Sequence, residues 1–148
     1  MTQILIESGI DPLDSLNYVP ENYLCKNWNI ISINLPNTII GIDSSAFEGC
    51  ENLESITLPN GLKNIGPWVF HSCYSLKSIT LPKTLDYIGD GNFDYCDDLE
   101  TVNFEGSRED FIALIGDNTE MFKYSYNLEE ISCNDGFISI DTIIHLDD

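Results

Sequence analysis

The side chains of this chain that could do chemistry are five cysteines, two histidines and 25 carboxylates. Cys50, Cys73 and Cys96 recur every 23 residues. A thiol can serve as a nucleophile, a metal ligand or half of a disulfide. A metal site would need a CxxC pair or histidine partners nearby, and neither is present. A disulfide needs Cβ vectors that side-by-side parallel stacking does not supply. The spacing therefore predicts a column of buried thiols acting as small hydrophobes. Cys25 and Cys133 stand outside that register and are expected to be unpaired, and the whole set fits a reducing compartment. His71 shares its register with Glu48 and Asp94, a variable position that predicts an exposed structural role. No GxGxxG, P-loop, HExxH or GxSxG motif occurs. Asp90, Asp94, Asp97 and Asp98 cluster, but without the EF-hand spacing. No catalytic residue, metal ligand or cofactor is assigned, and the chain is not read as an enzyme.

The remaining chemistry is recognition. Trp68 aligns with Ser45 and Gly91, Tyr74 with Glu51 and Asp97, and Tyr95 with Gly49 and Ser72. These slots vary from unit to unit, so folding does not dictate them. Their side chains are expected to face outward. Aromatic rings beside carboxylates on one edge are typical interface anchors. They could equally do no more than cover neighbouring corners.

The elements that position these residues are repeats. Leu53 to Ser75 reads LESITLPNGLKNIGPWVFHSCYS, and Leu76 to Asp98 reads LKSITLPKTLDYIGDGNFDYCDD. Leu53 meets Leu76, Ile56 meets Ile79, Pro59 meets Pro82, Ile65 meets Ile88, Phe70 meets Phe93 and Cys73 meets Cys96. Ile30, Ile33, Leu35, Pro36, Ile42, Phe47 and Cys50 fill the same slots one register upstream. A fixed period of this length is the mark of a solenoid. Ile56 and Leu58 alternate with Ser55 and Thr57, which suits a strand with one buried face. Pro59 ends the ladder because it has no N–H to donate. Val69, Phe70 and Cys73 at helix-like spacing predict a short helical corner.

The pattern LxxIxLPxxLxxIGxxxFxxCxx resembles the BspA-type leucine-rich repeat of bacterial surface proteins, some protists and phages. The match is close from Ile30 to Phe104 and extends more weakly to 102–116 and 131–138. The resemblance implies a leucine-rich-repeat solenoid: short parallel strands stacked through helical or turn corners, closed by N- and C-terminal caps. It implies a binding scaffold and no chemistry.

One domain is expected over 1–148. Residues 1–17 would form an N-terminal cap, with Ile4, Leu5, Leu13 and Leu16 apolar and Asp11–Pro12 starting a helix. Residues 18–29 read as a degenerate repeat, 30–104 as strand-bearing repeats and 105–148 as the C-terminal cap. Within that cap, Ser107 caps a helix from Arg108 to Ile115, and Asp110 completes a capping box. The stretch 116–127 reads as polar and irregular. Strands are expected at 128–133 and 136–140 around an Asn-Asp-Gly turn, and a last strand through Ile143, Ile144 and Leu146.

Charge is the unusual feature. The net charge is −19. Eight acidic residues against four lysines precede Asp86, a balance of −4; from Asp86 onward seventeen acidic residues face Arg108 and Lys123, a balance of −15. A strongly charged face can simply keep a protein soluble. It can also attract a basic partner. Direct nucleic-acid binding is excluded by sign. The chain has no apolar run long enough to cross a membrane, and its first residues lack the basic start of a secretory signal. A cytoplasmic location follows as the expectation, or the host cytoplasm for a phage-encoded chain.

Two functions remain open. One is an acidic protein-binding module that inhibits a basic partner, a nucleic-acid-handling or defence protein, in the narrower form by mimicking nucleic acid. The other is a structural, adhesion or virion surface-decoration module. The expected binding edge carries Trp68, Tyr74, Tyr95, Asp90, Asp94, Asp97, Asp98 and Glu100, with the rings as anchors and the carboxylates as the steering field.

Overall fold

The computed structural model describes residues 2–5 and 17–144, the first of these segments by its backbone. The proposed N-terminal helix start at Asp11–Pro12, the packing of Ile4, Leu5, Leu13 and Leu16, and the expectations for His145 and Leu146 lie outside what is described.

Each turn of the solenoid carries two strands and a corner. The long strands are β3 (Ile30–Asn34), β5 (Ser55–Thr57), β7 (Ser78–Leu81) and β9 (Thr101–Phe104). With β1 (Thr2–Leu5), β10 (Glu130–Cys133) and β11 (Gly136–Ser139) they form one face, in the orders β1-β3-β5 and β11-β10-β9-β7. The short strands β2 (Tyr18–Val19), β4 (Gly41–Ile42), β6 (Asn64–Ile65) and β8 (Tyr87–Ile88) form a second parallel sheet. Register follows the repeat: Ile33 pairs with Ile56, Ile79 with Val102, and Ile42 with Ile65. Along β7 and β9 burial alternates residue by residue, as a pleated strand with one wet face requires.

Three conserved-length turns join the strands. The Ile39, Leu62 and Leu85 N–H groups donate to the Pro36, Pro59 and Pro82 carbonyls at 3.1, 3.1 and 3.2 Å. The same proline thus ends the ladder and accepts the bond that closes the turn.

The corners are turns, not helices. Within each corner, alternate N–H groups bond locally and across to the next turn. Ala46, Glu48 and Cys50 donate three residues back, whereas Ser45, Phe47 and Gly49 donate to Pro67, Val69 and His71. A helix would turn all of these donors inward to its own carbonyls; the ladder sends half of them to the neighbouring rung. Two positions in each of the four corners between Asn22 and Tyr95 therefore adopt left-handed backbone. Asn22, Ser45, Trp68 and Gly91 occupy the first, at φ 56, 56, 57 and 65°; Lys26, Gly49, Ser72 and Tyr95 occupy the second, at φ 58, 67, 59 and 60°.

The core consists of columns. Phe47, Phe70, Phe93 and Phe122 stack at successive centroid distances of 6.0, 5.7 and 5.3 Å. Cys50, Cys73 and Cys96 form the expected buried column. Each thiol reaches a carbonyl of the preceding turn: Cys50 to Leu24, Cys73 to Phe47 and Cys96 to Phe70, at 3.2, 3.4 and 3.2 Å. Burial pushes the Cys50 and Cys96 thiols up to about 12 and Cys73 well above its ordinary value. A thiol held neutral in this way is a poor nucleophile.

Helix α1 (Arg108–Ile115) bears the capping box: the Asp110 N–H donates to Ser107 Oγ at 3.1 Å and the Ser107 N–H to Asp110 Oδ2 at 3.2 Å. Beyond it, the stretch read as irregular is a fifth corner, displaced in register. Phe122 stacks on Phe93, and Ser125 takes the cysteine slot, its hydroxyl donating to the Phe93 carbonyl. Ile131 then pairs with Val102, 29 residues on. A strand through Ile143 and Ile144 does not form. Residues Ile140–Ile144 make a short helix, α2, that buries Ile140 and Ile143 and leaves Ile144 exposed. Burying residues three apart on one side is helical geometry.

Candidate functional site

The corner edge carries the candidate residues, and the turn ladder explains how. Trp68 occupies the first left-handed position of its corner, where glycine stands in the next turn. An L-residue there costs about 1–2 kcal/mol, so the slot is not indifferent to its side chain, contrary to the expectation from alignment. The indole does face outward, 49% exposed. It rests on Gly91, where an added Cβ would come within 2.5 Å of Trp68 Cδ1. The Trp68 N–H donates to the Asp90 carbonyl at 2.9 Å. The backbone bond ties this corner to the next turn, and the absence of a side chain at Gly91 leaves room for the ring.

Tyr95 occupies the second left-handed position. Its ring stacks on Tyr124 at 4.5 Å and meets His71 edge-on at 5.5 Å, and Tyr124 meets Tyr126 at 6.3 Å. His71 is thus half-buried against an aromatic ladder rather than freely exposed. Its Nδ1 and Ser72 Oγ lie 3.0 Å apart. Tyr74 is exposed, and its carbonyl accepts from the Asp98 N–H at 3.0 Å.

The carboxylates divide. Asp90 and Asp94 line a groove of about 600 Å³ with Trp68, Asp117, Glu120 and Ile144. Asp94 Oδ1 is buried and makes no hydrogen bond. Desolvation raises the Asp94 carboxyl above its ordinary value, and His71 and Lys123 oppose that shift. Asp97 and Asp98 project exposed from the far end of the corner, near Tyr74 in register. Glu100 does not join them. It lines a second groove of about 560 Å³ on the strand face, with Asn103, Glu129, Glu130 and Phe137. Trp68, Asp90 and Asp94 are therefore one local site, Tyr95 stands in a separate aromatic ladder, and Glu100 is elsewhere.

Asp117, Glu120, Tyr124 and Tyr126 were not expected at the site, and Ile144 was expected only in a last strand. The signal existed: Phe93 to Phe122, Cys96 to Ser125 and Leu99 to Leu128 share one 29-residue offset. An insertion carrying α1 hides it from a search at the regular period. Among the described residues, no three His, Cys, Asp or Glu side chains come together as metal ligands would. No helix among them is long and apolar enough to cross a membrane.

Comparison with known proteins agrees with the architecture. A crystal structure of a T. pallidum leucine-rich repeat protein superposes with a TM-score of 0.58 at 24% identity, covering 89% of this chain and 70% of that one. A leucine-rich repeat protein from Bacteroides capillosus gives a TM-score of 0.54 at 31% identity, over 61% of this chain and 64% of that one. No curated protein matches the sequence. The family model of the BspA type leucine-rich repeat region, in six copies, matches residues 18–145. Because that match takes in the five corners and every strand after β1, the chain belongs to the BspA-type leucine-rich repeat family, whose repeats serve as protein-interaction modules.

Proposed function

We propose that this protein is a non-enzymatic binding module whose acidic C-terminal half docks a basic partner protein. The observation that carries the reading is Trp68, an exposed indole kept in left-handed backbone and bordered by Asp90 and Asp94. Folding alone favours glycine at such a position. Rigid aromatic area within a one-signed field is what an interface anchor needs. In the narrower form, the protein inhibits a nucleic-acid-handling or defence protein by occupying its basic surface, as a phage-encoded inhibitor would. Carboxylates on rungs about 4.8 Å apart would imitate part of the field of a duplex, which bears one charge per about 1.7 Å.

Affinity capture with the wild-type protein and with Trp68→Ala, at low and high salt, tests the reading. A basic partner retained by the wild type, released by salt and weakened by the variant supports it. Equal retention by both proteins at every salt concentration overturns the assignment of the edge. For the mimicry form, duplex DNA must compete with the protein for the partner; independent simultaneous binding rules it out.

A second reading is an adhesion or surface-decoration module. The strand face favours it: Ser32 pairs with Ser55, Asn34 with Thr57, Ser78 with Thr101 and Thr80 with Asn103, a flat polar ladder. Immunodetection of the protein on intact cells or in purified particles would favour this reading over the inhibitor.

A further inference from the structure

We propose that the groove beside Trp68 receives an arginine side chain of the partner, with the guanidinium stacked on the indole and forked between Asp90 and Asp94. The inference rests on the docking function above and names the chemistry that the edge reads.

The groove has three kinds of wall. Trp68 supplies a half-exposed aromatic face, Ile144 an apolar flank, and Asp90, Asp94, Asp117 and Glu120 the carboxylates. The indole lies against Gly91, whose missing Cβ leaves room for the ring, and the Trp68 backbone N–H is bonded to the Asp90 carbonyl. Among the described residues the ion pairs are Lys63–Asp86, Lys77–Glu54, Arg108–Asp135 and Lys123–Glu120; Asp90, Asp94 and Asp117 belong to none of them. Asp94 Oδ1 adds a buried acceptor that makes no hydrogen bond. Such an atom calls for a donor.

The chemistry of the donor follows. A hard metal ion needs several oxygens converging on one point, and no such group exists among the described residues. It would also gain little from an indole wall. A nucleic acid has the wrong sign. An ammonium can pair with a carboxylate but presents no plane to stack. A guanidinium is planar, carries five donors in a fork and stacks on aromatic faces. That group can lie flat on the ring while its fork meets two carboxylates at once. Next door, Lys123 Nζ lies 3.1 Å from Glu120 Oε1 and 5.9 Å from the Tyr124 centroid, so a cation between carboxylate and ring suits this edge, and the fork and plane of a guanidinium are what favour it over an ammonium.

The test uses the full chain carrying Trp28→Phe, which leaves Trp68 as the one tryptophan of two. Hexa-arginine amide and hexa-lysine amide are titrated in parallel at low salt, followed by Trp68 emission and by calorimetry. Hexa-arginine is expected to shift Trp68 emission and to bind several-fold tighter than hexa-lysine. Asp90→Asn and Asp94→Asn should each weaken it several-fold, while Glu51→Gln on the N-terminal half leaves it unchanged. Circular dichroism confirms that each variant is folded. If hexa-arginine binds by calorimetry without altering Trp68 emission, or if hexa-lysine binds equally well, the groove assignment is overturned and the acidic docking surface stands. If neither peptide binds at low salt, both fail.

Discussion

The indole of Trp68 lies on the bare Cα of Gly91, one turn further along the solenoid, and both residues hold left-handed backbone at φ 57 and 65°. The smaller residue makes room for the larger, and neither position would be chosen for a side chain by folding alone. Gly91→Ala should therefore be destabilising by about 1–2 kcal/mol. It should also displace the ring, since the new Cβ would meet Cδ1 at 2.5 Å. Urea unfolding and the Trp68 emission maximum, read in the same samples, check both effects.

Trp68→Gly and Trp68→Ala separate strain from recognition. Both remove the ring, but only glycine relieves the backbone. The glycine variant should be more stable than the alanine variant by about 1 kcal/mol, while both lose partner affinity by about 2 kcal/mol. Equal stability of the two variants in urea would show that the left-handed position carries no strain.

Reversal of the exposed Asp97 and Asp98 to lysine should act on kinetics. Rim charges steer encounter, whereas anchored rings set dissociation. The expected outcome is a slower association rate with a flatter salt dependence and a nearly unchanged dissociation rate. Surface plasmon resonance against the identified partner measures both.

Asn92 is buried where Ala46 and Val69 stand in the preceding turns. Its Nδ2 donates to the Gly66 and Gly89 carbonyls at 2.9 and 2.7 Å, and its Oδ1 accepts from the Val69 N–H at 3.1 Å. Asn92→Val restores the apolar slot but strands the Val69 N–H and the Gly66 carbonyl. The cost should be about 1–3 kcal/mol per orphaned group, measured as a fall in the urea midpoint.

The thiol column predicts a pH dependence of known sign. Cys50 and Cys96 are held near 12 in the fold against an ordinary value of 9.0. Below pH 9 both the folded and the unfolded chain keep these thiols protonated, and no stability is lost. Between pH 9 and about 12 the unfolded chain releases protons that the fold retains, so stability falls as pH rises. Cys50→Ser with Cys96→Ser should flatten that fall. The serines keep a donor for the carbonyls, as Ser125 does for Phe93. Alkylation of the native protein should mark Cys25 and Cys133, which are only partly buried, and spare the other three.

The 23-residue period alone established the solenoid, the columns and the turns. A strand that must bury Ile56 and Leu58 while showing Ser55 and Thr57 has one register, and three copies of it can pack only by stacking. Ser107 and Asp110 announced the start of α1, because a capping box is a purely local bargain between neighbours. The corner was a different matter. Val69, Phe70 and Cys73 have helical spacing, yet in their corner the Trp68 and Ser72 N–H groups donate to the next turn while those of His71 and Cys73 donate within their own. That choice depends on a neighbouring rung lying within reach, and nothing local reports it. The groove beside Trp68 is likewise a tertiary product. It joins a corner at 68–94 to residues 117–120 and to Ile144, and the insertion carrying α1 removes the regular offset that would connect them. Only closure of the solenoid through the Phe93–Phe122 stack brings those distant carboxylates to one wall.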